Sequence, residues 1–341
     1  MFRILLPLPC LIVASVAAAG DFHALSLPGS QLAALSADGH AAAGGVIGGA
    51  SGGFRWREGE PAQLVERAVT IRAMSASGRY VAGSSLDAQQ REVATWWDAD
   101  GALHALDGLL GAEATAGLLS AAWGITDDPR VVGVGVKGGD TIAMRWTATS
   151  GWQALDNAPS AASGVSDDGH RVYGWRAQTG TQRSGALWED DIGHASVAAR
   201  TGELVGANRA ATILLGIDRG DSPSASAWRW TPSAGLRPMS AAPVRLNASD
   251  ADGNVFVGVA GSGAQRVAMI WTQARGVERL RDFLAARTID VPAGWSLLAA
   301  TAVSTDGRRI GGFGLRDGRF DSFIVDLGSA AVDEPLPPTA R

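Results

Sequence analysis

The chain has few of the residues that define several common protein classes. Of its 341 residues one is cysteine, two are tyrosine and 18% are charged. Lys137 is the only lysine among 29 basic residues, and the formal net charge is −5, so the composition gives no basic surface for nucleic acid. A single cysteine, Cys10, cannot form an intramolecular disulfide. Beyond the N-terminal segment, no apolar run approaches the ~20 residues of a membrane-spanning helix.

Glycine and tryptophan are abundant instead. The chain has 45 Gly and 12 Trp, so glycine makes up 45/341, or about 13%, against a usual ~7%. There is no Gly-X-Y period, which excludes a collagen-like protein, and a hydrophobic fraction of 46% with a small net charge excludes a disordered one. The glycines and tryptophans therefore need an explanation in a folded, regular architecture.

Residues 1–19 have the pattern of a secretory signal peptide. Arg3 supplies a positive start, Ile4 to Val16 is apolar, and Ala17 to Ala19 offers small residues for cleavage. The alternative is a buried N-terminal strand. Because Cys10 lies in this segment, the mature chain has no cysteine and its core must fold without disulfides. We expect export to the periplasm or the outside of a bacterial cell.

An internal repeat explains the tryptophans. A tetrad of the form small-apolar-x-Trp ends at Trp56, Trp97, Trp146, Trp188, Trp230 and Trp271, and a seventh copy ends at Val325. Successive copies are 41, 49, 42, 42, 41 and 54 residues apart. The basic unit is about 41–42 residues, with one insertion at residues 109–119 and another at 282–293. Fixed periods of this size are typical of repeat architectures.

A turn motif precedes most of the tetrads. It has the form Ser-x-Asp-Gly at Ser36–Gly39, Ser166–Gly169 and Ser304–Gly307, with variants at Ser75, Thr126 and Asp250 and a degenerate copy near Asn208. Asp and Gly favour tight turns, and a short β-branched run ending in Gly follows. Each unit therefore predicts four antiparallel strands, the size of one propeller blade. Seven tetrads predict an all-β, seven-bladed β-propeller over residues 20–328, followed by a disordered Ala/Pro-rich tail at 329–341.

The two ends of the repeat array complement each other. The seventh tetrad has no fourth strand after it, whereas the mature N-terminus starts with one that has no partner. Residues 22–39 and 152–169 both run 18 residues from an aromatic residue to the Gly of the turn. We therefore expect Phe22–Leu25 to complete the last blade beside Ser322–Leu327, which would protect strand edges that otherwise invite aggregation.

The repeated tryptophans favour packing between blades over ligand binding, because one Trp per blade at a fixed register suits a repeated interface. Six tryptophans fall outside that register and are better candidates for exposed stacking on a ligand: Trp96, Trp123, Trp152, Trp175, Trp228 and Trp295.

The motifs together resemble the HAF-type extracellular repeats of bacterial secreted and surface proteins. The resemblance is carried by the Ser-x-Asp-Gly turns, the Val-Val-Gly strand at Val131, the Ala-Met-Arg-Trp strand at Ala143 and the closing stretch from Trp295 to Gly307. It covers nearly all of the mature chain. Pro129 in place of Gly, Val325 in place of Trp and the degenerate fifth unit are departures. The resemblance implies a secreted, propeller-like protein and supplies no catalytic residues.

Four local patterns suggest chemistry but have simpler interpretations. Gly133–Gly138 matches a dinucleotide fingerprint without its strand-to-helix context, and Ser51 sits in a nucleophile-elbow pattern without an α/β fold. Asp250–Asn254 hints at calcium, but lacks a distal bidentate Glu, so self-capping of the turn is preferred. His40 and His170 follow turns and are expected at exposed tips.

Residues 280–287, which extend into the second insertion, could form a short helix. The helix would serve as a packing cover, or the insertion would be a functional loop.

These observations predict a secreted binding or interaction scaffold rather than an enzyme. No catalytic, cofactor or metal residues and no cofactor are assigned. The expected partner is a protein or glycan, not nucleic acid, and the mature chain is expected to be monomeric with no integral membrane segment. The alternative is a glycan-active enzyme or carbohydrate-binding propeller that uses carboxylates at a channel mouth or exposed Trp. Two close, buried carboxylates would favour the enzyme.

Overall fold

The computed structural model describes residues 20–49, 51–106, 119–178, 182–190, 193–196, 202–218 and 226–328. The predicted signal peptide, the predicted tail and almost all of the first insertion lie outside these ranges. The described chain is built almost entirely of antiparallel strands, which confirms the all-β class. Within the described ranges no helix has the length and apolar character needed to cross a membrane.

After the N-terminal strand, the chain forms successive sheets in sequence order. Each of the first three repeats forms one four-stranded sheet. They consist of β2 (Ser30–Leu35), β3 (Ala41–Val46), β4 (Gly53–Arg57) and β5 (Gln63–Leu64); β6 (Ala68–Met74), β7 (Val81–Leu86), β8 (Glu92–Trp97) and β9 (Leu103–Ala105); and β10 (Ser120–Ile125), β11 (Val131–Lys137), β12 (Asp140–Thr147) and β13 (Gly151–Ala154).

The next repeats give one four-stranded and one seven-stranded sheet. The first contains β14 (Ser160–Val165), β15 (Arg171–Ala177), β16 (Arg183–Glu189) and β17 (Gly193–Ser196). The second contains β18 (Gly202–Ala207), β19 (Leu214–Asp218), β20 (Ser226–Thr231), β21 (Gly235–Ser249), β22 (Val255–Ala260), β23 (Val267–Thr272) and β24 (Gly276–Arg279). The long strand β21 pairs with β20 through its first part and with β22 through its last, so two repeats share it.

The last sheet joins the two ends of the chain. It contains β25 (Trp295–Val303), β26 (Arg309–Arg316) and β27 (Arg319–Asp326), and its fourth strand is β1 (Asp21–Ala24). β1 runs antiparallel to β27, with Phe22 opposite Val325 and Ala24 opposite Phe323. The predicted pairing of the N-terminal strand with the last repeat is confirmed.

The Ser-x-Asp-Gly turns are stabilised by their own side chains. In the first copy the Ser36 hydroxyl donates to Asp38 at 2.6 Å and accepts from the Ala41 N–H at 2.8 Å, while Asp38 accepts from the His40 N–H at 2.9 Å. Gly39 has φ +74°, which glycine adopts without strain. The same bonds recur in the copies at Ser166 and Ser304. The repeat motif is therefore a self-contained turn.

The hydrophobic core consists of clusters that each combine residues of two successive repeats. Trp97, for example, packs with Ala41 and Ala43 of the preceding sheet. Among the tryptophans at the repeated register, Trp56, Trp97 and Trp188 are buried, whereas Trp146, Trp230 and Trp271 are half-buried. The predicted packing role of the tryptophans at this register is confirmed, but the extent to which their side chains are buried differs from repeat to repeat.

The second insertion contains the predicted helix, α1 (Leu280–Ala286). Its side chains Leu280, Phe283 and Leu284 are fully buried in the cluster that also contains Trp295 and Phe323, and the Arg287 guanidinium lies 4.2 Å from the Phe283 ring centroid. The helix therefore covers the core between the last two repeats, which favours the packing interpretation of this insertion.

Candidate functional site

A cavity of about 1020 Å³ lies at the centre of the repeat array. Its lining includes residues of seven strands, β2, β6, β10, β14, β18, the second part of β21 and β25, each the first strand of a sequence repeat, together with residues of second and third strands such as Trp175 and Arg183. Because every repeat contributes its first strand to one space, we call this cavity the central channel. Residues from distant parts of the sequence converge on it.

Each channel-lining strand carries a β-bulge at the same position. At this position the register shifts by one residue in all seven strands, and the extra residues are Ala33, Arg72, Trp123, Ser163, Val205, Asn247 and Thr301. Two of the strands, β6 and β25, each carry a second shift nearer their start, at Val69 and Leu298. All seven line the channel and none is buried. A bulge re-aims a side chain and leaves its residue outside the ladder. The chain thus presents seven chemically different side chains from one repeated position.

The bulges also explain a glycine in the second strand of six of the seven repeats. A Cβ on Gly44, Gly83, Gly133, Gly174, Gly258 or Gly312 would lie 1.9–2.2 Å from a carbonyl oxygen of the neighbouring first strand. In each case that oxygen belongs to the residue two positions before the bulge. These glycines were the signal in the sequence that could have located the channel-facing residues.

One wall of the channel combines aromatic and charged side chains. The Arg72 guanidinium lies 5.7 Å from the Trp123 ring centroid, and Trp123 and Trp175 both pack against a small apolar cluster around Ala161. The Arg183 guanidinium lies 3.7 Å from the Trp175 ring centroid and is hydrogen-bonded to the buried Glu203. We call Arg72, Trp123, Trp175, Arg183 and Glu203 the aromatic wall.

Polar side chains on the other side of the channel join neighbouring first strands. Asn247 donates to the Ala300 carbonyl at 2.9 Å, and the Thr301 hydroxyl donates to the Leu32 carbonyl at 2.8 Å. Both donors are bulge residues. Their bonds connect adjacent repeats.

The first strands of the channel end in the Ser-x-Asp-Gly turns and their variants. The residues at the x position bond to one another through the backbone: Ala251 to Thr305 at 2.9 Å, Thr305 to Ala37 at 2.8 Å, Ala37 to Ala76 at 2.7 Å, and Asp167 to Arg209 at 2.9 Å. These contacts form most of a ring, which we call the turn ring.

Arg209 crosses the opening of the turn ring. One guanidinium nitrogen donates to Asp167 at 3.0 Å, in the preceding repeat, and the other donates to the Leu35 carbonyl of the first repeat. Burial raises the pKa of Asp167 despite the attraction of Arg209, and the charge of Asp127 adds to the increase. Arg209 occupies the x position of the turn in the degenerate repeat, so this departure from the motif has a structural consequence: its guanidinium bonds to residues of the first and fourth repeats.

We expect the Arg209→Gln substitution to raise the pKa of Asp167 further, because the compensating cation is lost while the burial remains. Because the pKa of Asp167 is higher in the folded than in the unfolded protein, the free energy of unfolding falls as the pH rises from the unfolded-state pKa to the folded-state pKa. In the variant the folded-state pKa is higher, so this loss of stability continues to a higher pH. An NMR titration of the Asp167 carboxyl carbon measures the change. Asp168, whose pKa is lowered by the Ser166 hydroxyl, serves as the control and should not move; an unchanged Asp167 would contradict the placement of Arg209.

The six tryptophans outside the repeated register have different environments. Trp123 and Trp175 line the channel and are half-buried. Trp228 and Trp295 are buried, at 2% and 6% exposure, so the stacking hypothesis is wrong for these two. Trp96 stacks on His104 with 3.9 Å between ring centroids, and Trp152 donates its indole N–H to the Leu106 carbonyl at 3.1 Å. Only the two channel residues converge on a cavity.

The local patterns that suggested chemistry have structural roles. Gly133 lies inside β11, with no helix after it. The Ser51 hydroxyl bonds to the Val65 carbonyl. Asp250 accepts from the N–H groups of Asn254 and Val255 at 2.9 and 3.0 Å, which confirms that it caps its own turn. Among the described residues there is no group of three or more His, Cys, Asp or Glu side chains able to hold a metal ion.

The two turn-tip histidines are exposed as expected, but each contacts an acidic residue. His40 pairs with Glu58, and His170 lies 2.8 Å from Asp190. The side chains of the histidines are 51% and 59% exposed, so water screens both contacts. These pairs lie outside the channel.

No protein-family model matches the sequence, and no curated protein matches it. Solved structures with similar folds do exist. The β-propeller domain of the Trilobed protease from Pyrococcus furiosus, described as having an open velcro topology, is 10% identical, with a TM-score of 0.60 over 90% of this chain and 99% of that chain. Oligogalacturonate lyase from Vibrio parahaemolyticus is 10% identical, with a TM-score of 0.57 over 91% and 98%.

TolB from Acinetobacter baumannii is 13% identical, with a TM-score of 0.46, and this chain covers 65% of its length. Identities this low establish the fold and nothing about activity. The chain shares the β-propeller fold with the protease domain and the lyase.

Proposed function

We propose that the chain is a secreted, seven-bladed propeller of the HAF repeat type that acts as a binding scaffold, with the central channel as its ligand pocket. The observation that carries this proposal is the ring of seven bulges, which turns seven unlike side chains into one cavity. Ligand sites are typically concave spaces of ~300–1,000 Å³ in which a few polar groups converge on an apolar lining.

The blade count of seven is supported by the seven channel-lining strands and by the division of β21. Its first part pairs with β20 and completes the fifth repeat, and its last part pairs with β22 and begins the sixth. The seven-stranded sheet thus accounts for two blades that share one continuous strand. The pairing of β1 with β27 completes the seventh.

Binding is favoured over catalysis by the state of the channel carboxylates. Two carboxylates are among the described channel residues, Asp167 and Glu203, and each is bonded to an arginine, Arg209 and Arg183. A glycoside hydrolase needs two carboxyl groups that face one bond of the substrate. The alternative of a glycan-active enzyme would require these ion pairs to open; a glycan-binding propeller would not.

Residence outside the cytoplasm is proposed from the signal-peptide pattern of residues 1–19 and from a mature sequence without cysteine. The proposed partner is a small ligand, a glycan or a protein that enters the channel at the end opposite the turn ring, and the proposed state in solution is a monomer.

The Ala33→Trp substitution tests the channel as the binding site. Ala33 is a bulge residue on the channel wall, and an indole there would occupy the space of a ligand. In a thermal-shift screen against glycans and small metabolites, we expect ligands of the wild-type protein to lose their stabilising effect on the variant. Ala234→Trp, at an exposed position, is the matched control and should retain binding. Equal shifts in both variants would place the site elsewhere.

A further inference from the structure

The channel has the opposite charge to the rest of the molecule. Its described lining includes four arginines and two carboxylates, +4 − 2 = +2: Arg72, Arg183, Arg209 and Arg245, with Asp167 and Glu203. The whole chain has a formal net charge of −5. A cleft with low-dielectric walls concentrates its own field, so a positive lining in an acidic protein attracts small anions and repels cations.

Three arginines of the channel differ in their hydrogen-bond partners. Arg183 is held by Glu203, and Arg209 is held by Asp167. Arg72 is exposed, and within the described residues no carboxylate pairs with it. Its guanidinium lies over the face of Trp123, 5.7 Å from the ring centroid. A guanidinium presents a fork of N–H donors that matches a carboxylate. Arg72 therefore offers such a donor set beside an aromatic face.

The repeated position itself singles out this pair. The bulge residues of the neighbouring repeats are Ala33 and Ser163, which are small, whereas Arg72 and Trp123 are large and adjacent. The bulge removes them from strand pairing, and Trp123 is only half-buried. Two large side chains at consecutive copies of one position, in contact with each other and open to the channel, form a built subsite.

We propose that this subsite binds a small organic acid whose carboxylate is attached to a ring. Arg72 takes the carboxylate, and the Trp123 indole takes the flat apolar face of the ring. Ser163, in the next repeat, offers a hydroxyl to ring substituents. This inference rests on the proposed role of the channel as a ligand pocket and adds the chemical class of its ligand.

Two classes of compound combine a carboxylate with a ring: acidic sugars such as glucuronate, and aromatic acids such as 4-hydroxybenzoate. Calorimetric titration of the wild-type protein with both acids, and with the methyl ester of each, separates charge from shape. We expect at least one acid to bind, at least ~10-fold more tightly than its ester, because a charge-assisted hydrogen bond is lost in the ester. Affinity should fall as the salt concentration rises. The acid that binds identifies the class.

The Arg72→Gln variant should weaken binding of the acid by ~10-fold or more and leave binding of the ester unchanged. Trp123→Leu should weaken both. Arg79→Gln is the matched control, because Arg79 is also exposed and also lies over an aromatic ring, Tyr80 at 5.5 Å, but is not a channel residue. It should bind as the wild type does.

The outcomes separate this inference from the proposed function. Equal binding of acid and ester, or an unaltered Arg72→Gln variant, would overturn the assignment of an acid while the channel remains a pocket. If neither acid binds but Ala33→Trp still abolishes binding of a screened ligand, the ligand class is wrong and the proposed function stands. If Ala33→Trp abolishes nothing, both fail.

Discussion

Deleting residues 21–25 is expected to lower the melting temperature of the mature protein by at least ~10 °C. All four residues of β1 pair with β27. Phe22 is buried between Phe323 and Trp295, with ring centroids 5.4 and 5.3 Å away, and Leu25 is buried against the first repeat. Removing two buried side chains of this size together with the pairing of the strand costs ~7 kcal/mol or more. With an unfolding entropy of ~2.1 cal/mol/K per residue, each kcal/mol shifts the melting temperature of a domain of about 300 residues by roughly 1.5 °C.

The deletion also exposes the edge of β27, so calorimetry should be combined with light scattering to detect aggregation. His23→Ala is the control within the same strand, because His23 is exposed, and it should melt within a few degrees of the wild type. A synthetic peptide of residues 21–27 added to the truncated protein should restore part of the lost stability. A truncated protein that melts like the wild type would show that β1 does not hold the ends together.

Trp97→Ala is expected to destabilise the protein by about 3–5 kcal/mol. Trp97 has no exposed surface, packs against Ala41 and Ala43 of the preceding sheet, and donates its indole N–H to the Glu66 carbonyl at 3.1 Å. The substitution leaves a cavity between two repeats and an unpaired carbonyl. Denaturant unfolding followed by circular dichroism measures the change.

Trp146→Ala is the matched comparison, because Trp146 has the same place in its repeat but is only half-buried. Its loss should cost clearly less than that of Trp97. Equal losses of unfolding free energy in the two variants would mean that the position of the tryptophan in its repeat, rather than the burial of its side chain, determines its contribution to stability. A loss below ~1 kcal/mol for Trp97 would contradict its place in the core.

Local signals made much of the fold predictable. The hydrogen bonds of a Ser-x-Asp-Gly turn lie within five residues, as from Ser36 to Ala41, so the sequence alone specifies them. The pairing of β1 with β27 followed from counting strands per repeat. The burial of each tryptophan did not follow, because it depends on neighbours from another repeat, as for Trp97 and Ala41.

The candidate site was less predictable for the same reason. A bulge is a relation between two paired strands, and its trace in the sequence is a glycine in the second strand, such as Gly133 opposite the Ala121 carbonyl. Arg209 reaches a carbonyl 174 positions away in the sequence, and no local pattern encodes such a contact. The degenerate repeat did mark the position of Arg209, but the sequence alone did not indicate that its side chain bonds to two other repeats.

The in-phase bulges separate the residues that fold this chain from the residues that face its channel. Ladder positions and buried cluster residues must keep their size, whereas the seven bulge residues lie outside the ladder and none of them is buried. Apart from Trp123, Asn247 and Thr301, which contact neighbouring repeats, substitutions at these positions can therefore accumulate with little loss of stability. Single-base changes can then alter the chemistry of the cavity one side chain at a time. Such a scaffold can acquire new specificities quickly, and saturation of the seven positions forms a compact library for directing it to a chosen ligand.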